Sequence, residues 1–161
     1  MLLKTKNIKN RLLTVFIISY GIAIAVMCFW PQPALFDGKI TPNIIKIGRL
    51  RLLLIPFNSF VSLPAIHSLS QLVWLFLQNA MNVLLLYPLG LAYFALKSKK
   101  QTHLKVLILG FTISFSIEVT QLILDLLLDA NRVFEVDDLM TNTFGIYLAY
   151  QTIKKLGLLK E

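Results

Sequence analysis

A disulfide framework and a multi-cysteine zinc site are both excluded, because the chain has a single cysteine, Cys28. Charge is also scarce: 15% of the 161 residues are charged, against roughly 25% in globular domains. Hydrophobic residues make up 57%, and mean hydropathy is +0.72. That balance excludes a disordered chain, which needs low hydrophobicity. It argues against a soluble domain, since a body of this size cannot hide so much apolar surface. The familiar templates are missing too. There is no GxGxxG, no GxxxxGK followed by Ser or Thr, no HExxH, no GxSxG and no CxxC. No cofactor and no metal site is therefore expected.

Negative charge is the scarcer sign, with 8 acidic residues against 16 basic ones. A net charge of +8 suits a nucleic-acid partner only if the bases form a patch. Here they sit at the edges of apolar runs, the pattern of membrane topology, and no nucleic-acid partner is expected. Residues 12–30 and 72–96 contain no charge at all, and each reaches the roughly 20 residues that cross a bilayer. Residues 106–124 form a third span, interrupted by Glu118 and Gln121. Residues 139–153 form a shorter fourth, carrying Thr141, Asn142 and Thr143. The sequence thus predicts an all-α membrane protein, a single domain over residues 1–161 with about four transmembrane helices.

The first span is not read as a cleaved signal. Its apolar stretch is too long and no small-x-small site follows. Met27 is too large to precede a lipidated cysteine, so Cys28 reads as a small buried apolar residue. With the N-terminus inside, the inner segments hold Lys4, Lys6, Lys9, Arg11, Lys97, Lys99, Lys100, Lys105, Lys154, Lys155 and Lys160, most of the bases. The outer segments hold Asp37, Asp125, Asp129, Glu135, Asp137 and Asp138, most of the acids. Positive charge stays inside, so both termini are placed in the cytoplasm of a bacterial cell, on a multi-pass protein of its cytoplasmic membrane. Asp125 and Asp129 read as a solvated outer edge. His67 and His103 fall on opposite sides and cannot share a metal. The 31–71 connection contains Pro31, Pro33, Pro42, Pro56 and Pro64, so it is not one helix. Its residues 50–63 are mostly apolar and are expected to lie in the outer interface or re-enter the bundle.

Polar groups inside spans are costly, which makes them informative. Asn79 and Asn82 share a face of the second span. Ser114, Glu118 and Gln121 are spaced i, i+4, i+7 on the third. Asp138, Asn142 and Gly145 repeat that spacing at the start of the fourth. At 1.5 Å per residue, Glu118 lies about 9 Å below the outer end of its span and Asn142 about 5–6 Å. Asn82 lies about 15 Å down. The stripes therefore share the outer half of the membrane, which predicts a polar pocket opening outward beneath Arg132. Asn82, Ser114, Glu118, Gln121, Arg132, Asp137, Asp138 and Asn142 are its candidate ligand-binding residues. Helix glue is the plainer role for Asn79 and Gln121, and close packing for Gly145 with Ala149. Asp138 also suits a helix N-terminus.

In this order the stripes resemble the VanZ-like family of small bacterial membrane proteins. The resemblance runs over about residues 50–150. It begins with Leu54-Ile55-Pro56-Phe57 and continues from Asn82 to Tyr87-Pro88-Leu89-Gly90. It goes on with Ser114, Glu118 and Gln121, and ends with Arg132, Asp137-Asp138 and Asn142-Thr143-Phe144-Gly145. Departures are Leu53 where many members have Asn, Tyr87 at a common Phe-x position, Glu135 for an aspartate, and Ala149 for a second glycine. The resemblance implies a link to resistance against teicoplanin, a lipid-bearing glycopeptide acting at the outer membrane face. Three functions stay open. One is a protein that binds a lipid-bearing glycopeptide or lipid-linked wall precursor in the pocket. A second is a membrane-embedded enzyme on a lipid-linked substrate, with Glu118 as general acid or base and Arg132 among its charge stabilisers. The third is a structural or adaptor bundle. A transporter subunit would need to oligomerise, since no inverted repeat is present. The lipid bilayer is a partner in every case.

Overall fold

The computed structural model describes residues 2–32, 43–65 and 68–160; Asp37 and His67 lie outside these segments. Among the described residues, five α-helices, one 3-10 turn (Leu63–Ala65) and three short strands follow one another. The helices and strands are α1 (Leu2–Phe29), β1 (Ile45–Ile47), β2 (Leu50–Leu53), α2 (Asn58–Val61), α3 (Leu69–Lys97), α4 (His103–Leu128), β3 (Phe134–Glu135) and α5 (Val136–Lys155). The long helices start where side chains can receive orphan N–H groups. Ser68 accepts from the N–H of Gln71 (3.3 Å) ahead of α3, and Thr102 accepts from Lys105 (3.4 Å) ahead of α4. Both end in left-handed residues, Ser98 and Asp129. In α5, Asp137 and Asp138 occupy the first turn and Lys154 and Lys155 the last, each favourable to the helix dipole.

Segments of α1 (Asn7–Phe29) and the whole of α3 and α4 are long and apolar enough to cross a membrane. Their surfaces agree: Leu12, Ile22, Leu69, Leu104 and Leu127 are each 60% to 75% exposed. A soluble monomer does not display apolar patches on this scale. The fourth predicted span is a helix, but it differs from the other three. Helix α5 has 20 residues, Asp and Thr among them, and one side of it packs against α3 and α4. Leu139, Asn142, Gly145, Ile146, Ala149, Tyr150 and Ile153 are all buried. Its polarity is tolerated because its neighbours are protein rather than lipid. The architecture is thus three helices of membrane length, with a more polar fourth packed on α3 and α4 and with α1 packed on α3 and α4 as well.

Glycines set how closely these helices meet. A methyl on Gly145 would stand 2.1 Å from the carbonyl oxygen of Val83 in α3. One on Gly90 would stand 2.7 Å from Cβ of Ala149. The close-packing role expected of the Gly145/Ala149 pair is therefore what the helices show. At the other end of α5, Tyr150 is buried and its hydroxyl donates to the carbonyl of Gln101 (2.7 Å), while the N–H of Gln101 donates back (3.1 Å). This ties the α3–α4 turn to α5. Phe94 packs edge-on against the Tyr150 ring, with Leu86, Val106 and Ile146 completing the core.

The expectation of an all-helical chain is corrected in the 31–71 connection. Strands β1 and β2 form an antiparallel hairpin in which Ile47 pairs with Leu50, and Gly48 takes a φ of 60° at its turn. Strand β3 then joins β2 in parallel, pairing Leu52 with Phe134 and Leu53 with Glu135. Residues 50–63 are therefore a strand, a turn and the single-turn helix α2, in keeping with a connection that is not one helix. Helix α2 is held by Asp137, whose carboxylate accepts from the N–H groups of Phe57 and Ser59. Phe57 sits in the left-handed region (φ 57°), which costs roughly 1–3 kcal/mol and needs such a tether. Asn79 completes the tether by donating to Ser59 Oγ (2.6 Å). Asp137→Ala should thus free the 54–61 turn, with proteolysis there rising several-fold and Leu122→Ala serving as the unaffected control.

Candidate functional site

Toward the end opposite Tyr150 lies a cavity of about 700 Å³. Asn82 of α3, Glu118 and Gln121 of α4, Arg132 of the following loop, and Asp138 and Asn142 of α5 all line it. Of the eight predicted site residues, these six meet in one space. Ser114 lies beneath them, fully buried, and Asp137 turns away to α2 and a smaller cleft of about 190 Å³. Three charged lining residues were not singled out from the sequence as ligand contacts: Glu135 on β3, and Lys46 and Arg51 on the hairpin.

Hydrogen bonds fix the wall. Ser114 donates to the carbonyl of Asp138 (3.2 Å), so its hydroxyl must accept from Asn142 Nδ2 (3.1 Å). That settles which way the Asn142 amide points. Its Oδ1 is a buried acceptor with no donor among the described residues. Asn82 donates to the Asp138 carboxylate. Glu118, 1% exposed, accepts the backbone N–H of Glu135 (3.0 Å). Asp138 does not act as a helix cap; Glu135 holds the cap position without a side-chain hydrogen bond.

Two expectations change here. Arg132 does more than overhang the cavity: its Nη2 donates to the carbonyls of Met27 (2.7 Å) and Trp30 (2.6 Å), closing the C-terminus of α1. Gln121 similarly donates to the carbonyl of Cys28 (3.0 Å), a helix-joining bond. Asp125 is not a solvated edge. It is 1% exposed, pairs with Arg51 (3.4 Å) and accepts the N–H of Arg132 (2.7 Å). Asp129 is the exposed partner, 3.6 Å from Arg51. Removing a buried member of a pair is more damaging than removing an exposed one. Asp125→Ala should cost about 2–3 kcal/mol, and Asp129→Ala well under about 1 kcal/mol. Thermal unfolding in detergent would compare them.

Glu135 sits outside the long helices. Burial, and then the nearby charges of Asp138, Glu118 and Asp137, push its carboxyl up from 4.5 to about 8. Between those values the folded protein keeps a proton that the unfolded chain has released. This contribution to stability is therefore full below pH 4.5 and is lost as pH rises through 8. Glu135→Gln should flatten the decline of melting temperature across that window.

Three apolar helices of membrane length, with a cavity lined by polar side chains at one end, are the features of a membrane protein. The chain belongs to the VanZ/LLP1 family, whose model matches residues 16–158. Neither a curated protein nor a solved structure matches it.

Proposed function

We propose that this is a protein of the bacterial cytoplasmic membrane that handles lipid-bearing glycopeptides of the teicoplanin type, or wall precursors, through the polar cavity. The supporting observation is where the cavity lies. Lys97, Lys99, Lys100 and Lys105 flank the α3–α4 turn, and Lys154 and Lys155 end α5, all at the end away from the cavity. By the positive-inside rule this basic end is cytoplasmic, so the cavity opens outward. It then meets the leaflet in which wall precursors and lipid-bearing antibiotics are exposed. Both termini are cytoplasmic in the same reading.

Topology is tested with cysteines introduced at Lys99 and Arg49 in a Cys28→Ala background. An impermeant thiol reagent on intact cells should label position 49 and spare position 99; the reverse pattern sinks the orientation. Function is tested by mass spectrometry of the purified protein incubated with teicoplanin or with a lipid-linked wall precursor. Retention by the wild-type protein, lost in Glu118→Gln, supports the reading. A changed mass of the bound species would instead show turnover and favour an enzyme. No retention of either compound would leave a structural bundle.

A further inference from the structure

The charges around the cavity are unevenly answered. Glu118, Glu135 and Asp138 all line it, and none forms an ion pair; the described residues contain only the pairs of Arg51 with Asp125 and Asp129. The basic groups of the wall are engaged or set apart. Arg51 is matched by those two aspartates, Arg132 is turned to the end of α1, and Lys46 stands on the exposed hairpin. The Glu135 carboxylate also accepts no hydrogen bond among the described residues. Independently of the acids, Asn142 is 2% exposed, lines the same cavity and has an acceptor oxygen without a donor. A buried acceptor left unpaired costs roughly 1–3 kcal/mol. Arg132 Nε on the same wall is a buried donor unpaired among the described residues, but it bonds neither this oxygen nor the three acids, so the oxygen lacks a donor and the acids lack a counter-ion.

A metal ion would not answer both. Among the described residues no three His, Cys, Asp or Glu side chains are set to hold one. The acids line a space of about 700 Å³, which has room for a larger cation. An ammonium group carries one charge and three donors, which can be divided between carboxylates and an amide oxygen. Met27 and Trp74 border the same cavity and are 58% and 50% exposed, on the outer sides of α1 and α3. They offer an apolar exit for a chain attached to the cation.

We propose that the cavity binds the protonated primary amine of an amphiphile. Its nitrogen lies among Glu118, Glu135, Asp138 and Asn142, and its apolar part leaves past Met27 and Trp74. This rests on the cavity being a ligand site, as in the preceding subsection, and adds the chemical class of the group it takes.

The test uses the full chain in phosphatidylcholine nanodiscs, with dodecylamine and dodecanol as probes and native mass spectrometry as the readout. The wild-type protein should retain the amine at least tenfold better than the alcohol. Glu135→Gln is the cleaner variant, because its carboxylate makes no bond that the fold needs; Glu118→Gln is the second. Each should lower amine retention about tenfold and leave the alcohol unchanged. Equal retention of the two probes by the wild type overturns the proposal. So does amine retention that survives both variants, or a parallel loss of both probes. Retention of teicoplanin or precursor that depends on Glu118, without an amine preference, defeats this proposal and leaves the cavity reading standing. An amine preference without such retention does the opposite.

Discussion

Gly145→Ala should leave almost no folded protein in the membrane. The added methyl would stand 2.1 Å from the Val83 carbonyl oxygen, and the obstacle is backbone, which cannot swing aside as a side-chain tip can. Helices α3 and α5 would have to separate by more than an ångström, and every layer between Leu86 and Tyr150 would loosen with them. Overpacking a core costs roughly 1–3 kcal/mol where side chains can adjust. Here the cost should exceed about 3 kcal/mol, enough to exhaust much of a typical folding free energy. Ala149→Gly is the informative contrast, since it removes a contact instead of adding a collision and should cost about 1 kcal/mol. Abundance and melting temperature of the two proteins in detergent would measure the difference. A stable, abundant Gly145→Ala protein would show that the α3–α5 contact is not as close as described.

Glu118→Gln should do the reverse: the fold persists and the function is lost. The amide oxygen of glutamine can still accept the Glu135 N–H, so the bond that holds β3 to α4 is kept. What disappears is the charge. Hydrogen bonds to charged groups contribute roughly 1.5–3 kcal/mol, so ligand retention should fall about 10- to 100-fold at unchanged abundance. Leu122→Ala, a packing change one turn away, should be milder. Arg132→Gln is a poorer test than it looks from the sequence, because it also uncaps α1 at Met27 and Trp30. Expression must be measured alongside, since an unstable variant mimics an inactive one. Wild-type ligand retention and glycopeptide sensitivity in abundant Glu118→Gln protein would remove the case for its carboxylate.

The long helices and most of the cavity were legible because their signals are local. A charge-free run of span length announces a helix by itself, and a carboxyl within one is conspicuous. The i, i+4, i+7 spacing then gathers Ser114, Glu118 and Gln121 on one face, and Asp138 with Asn142 on another. What stayed hidden depends on partners far away in the chain. Asp125 resembled a solvated edge because its partner, Arg51, comes from a hairpin 74 residues earlier. Glu135 looked like one more acid in an outer loop, and only the pairing of β3 with β2 brings it to the cavity wall. The strands have three, four and two residues, too few to show alternation. Asp137 and Asp138 are adjacent and chemically identical, yet the turn of the helix sends one to α2 and the other to the cavity.

The Tyr150–Gln101 clasp makes the bundle resemble a pair of tongs riveted at one end. At the rivet, α5 is bonded to the α3–α4 turn and backed by the Phe94 ring. At the jaws, beyond the Gly145–Val83 contact, Asn82 and Asp138 join α3 to α5, and Glu118 joins α4 to β3. A guest that competes for those side chains works with the full lever arm of the helices. The strain of admitting it would fall on the jaws, leaving the α3–α4 turn as the fixed end.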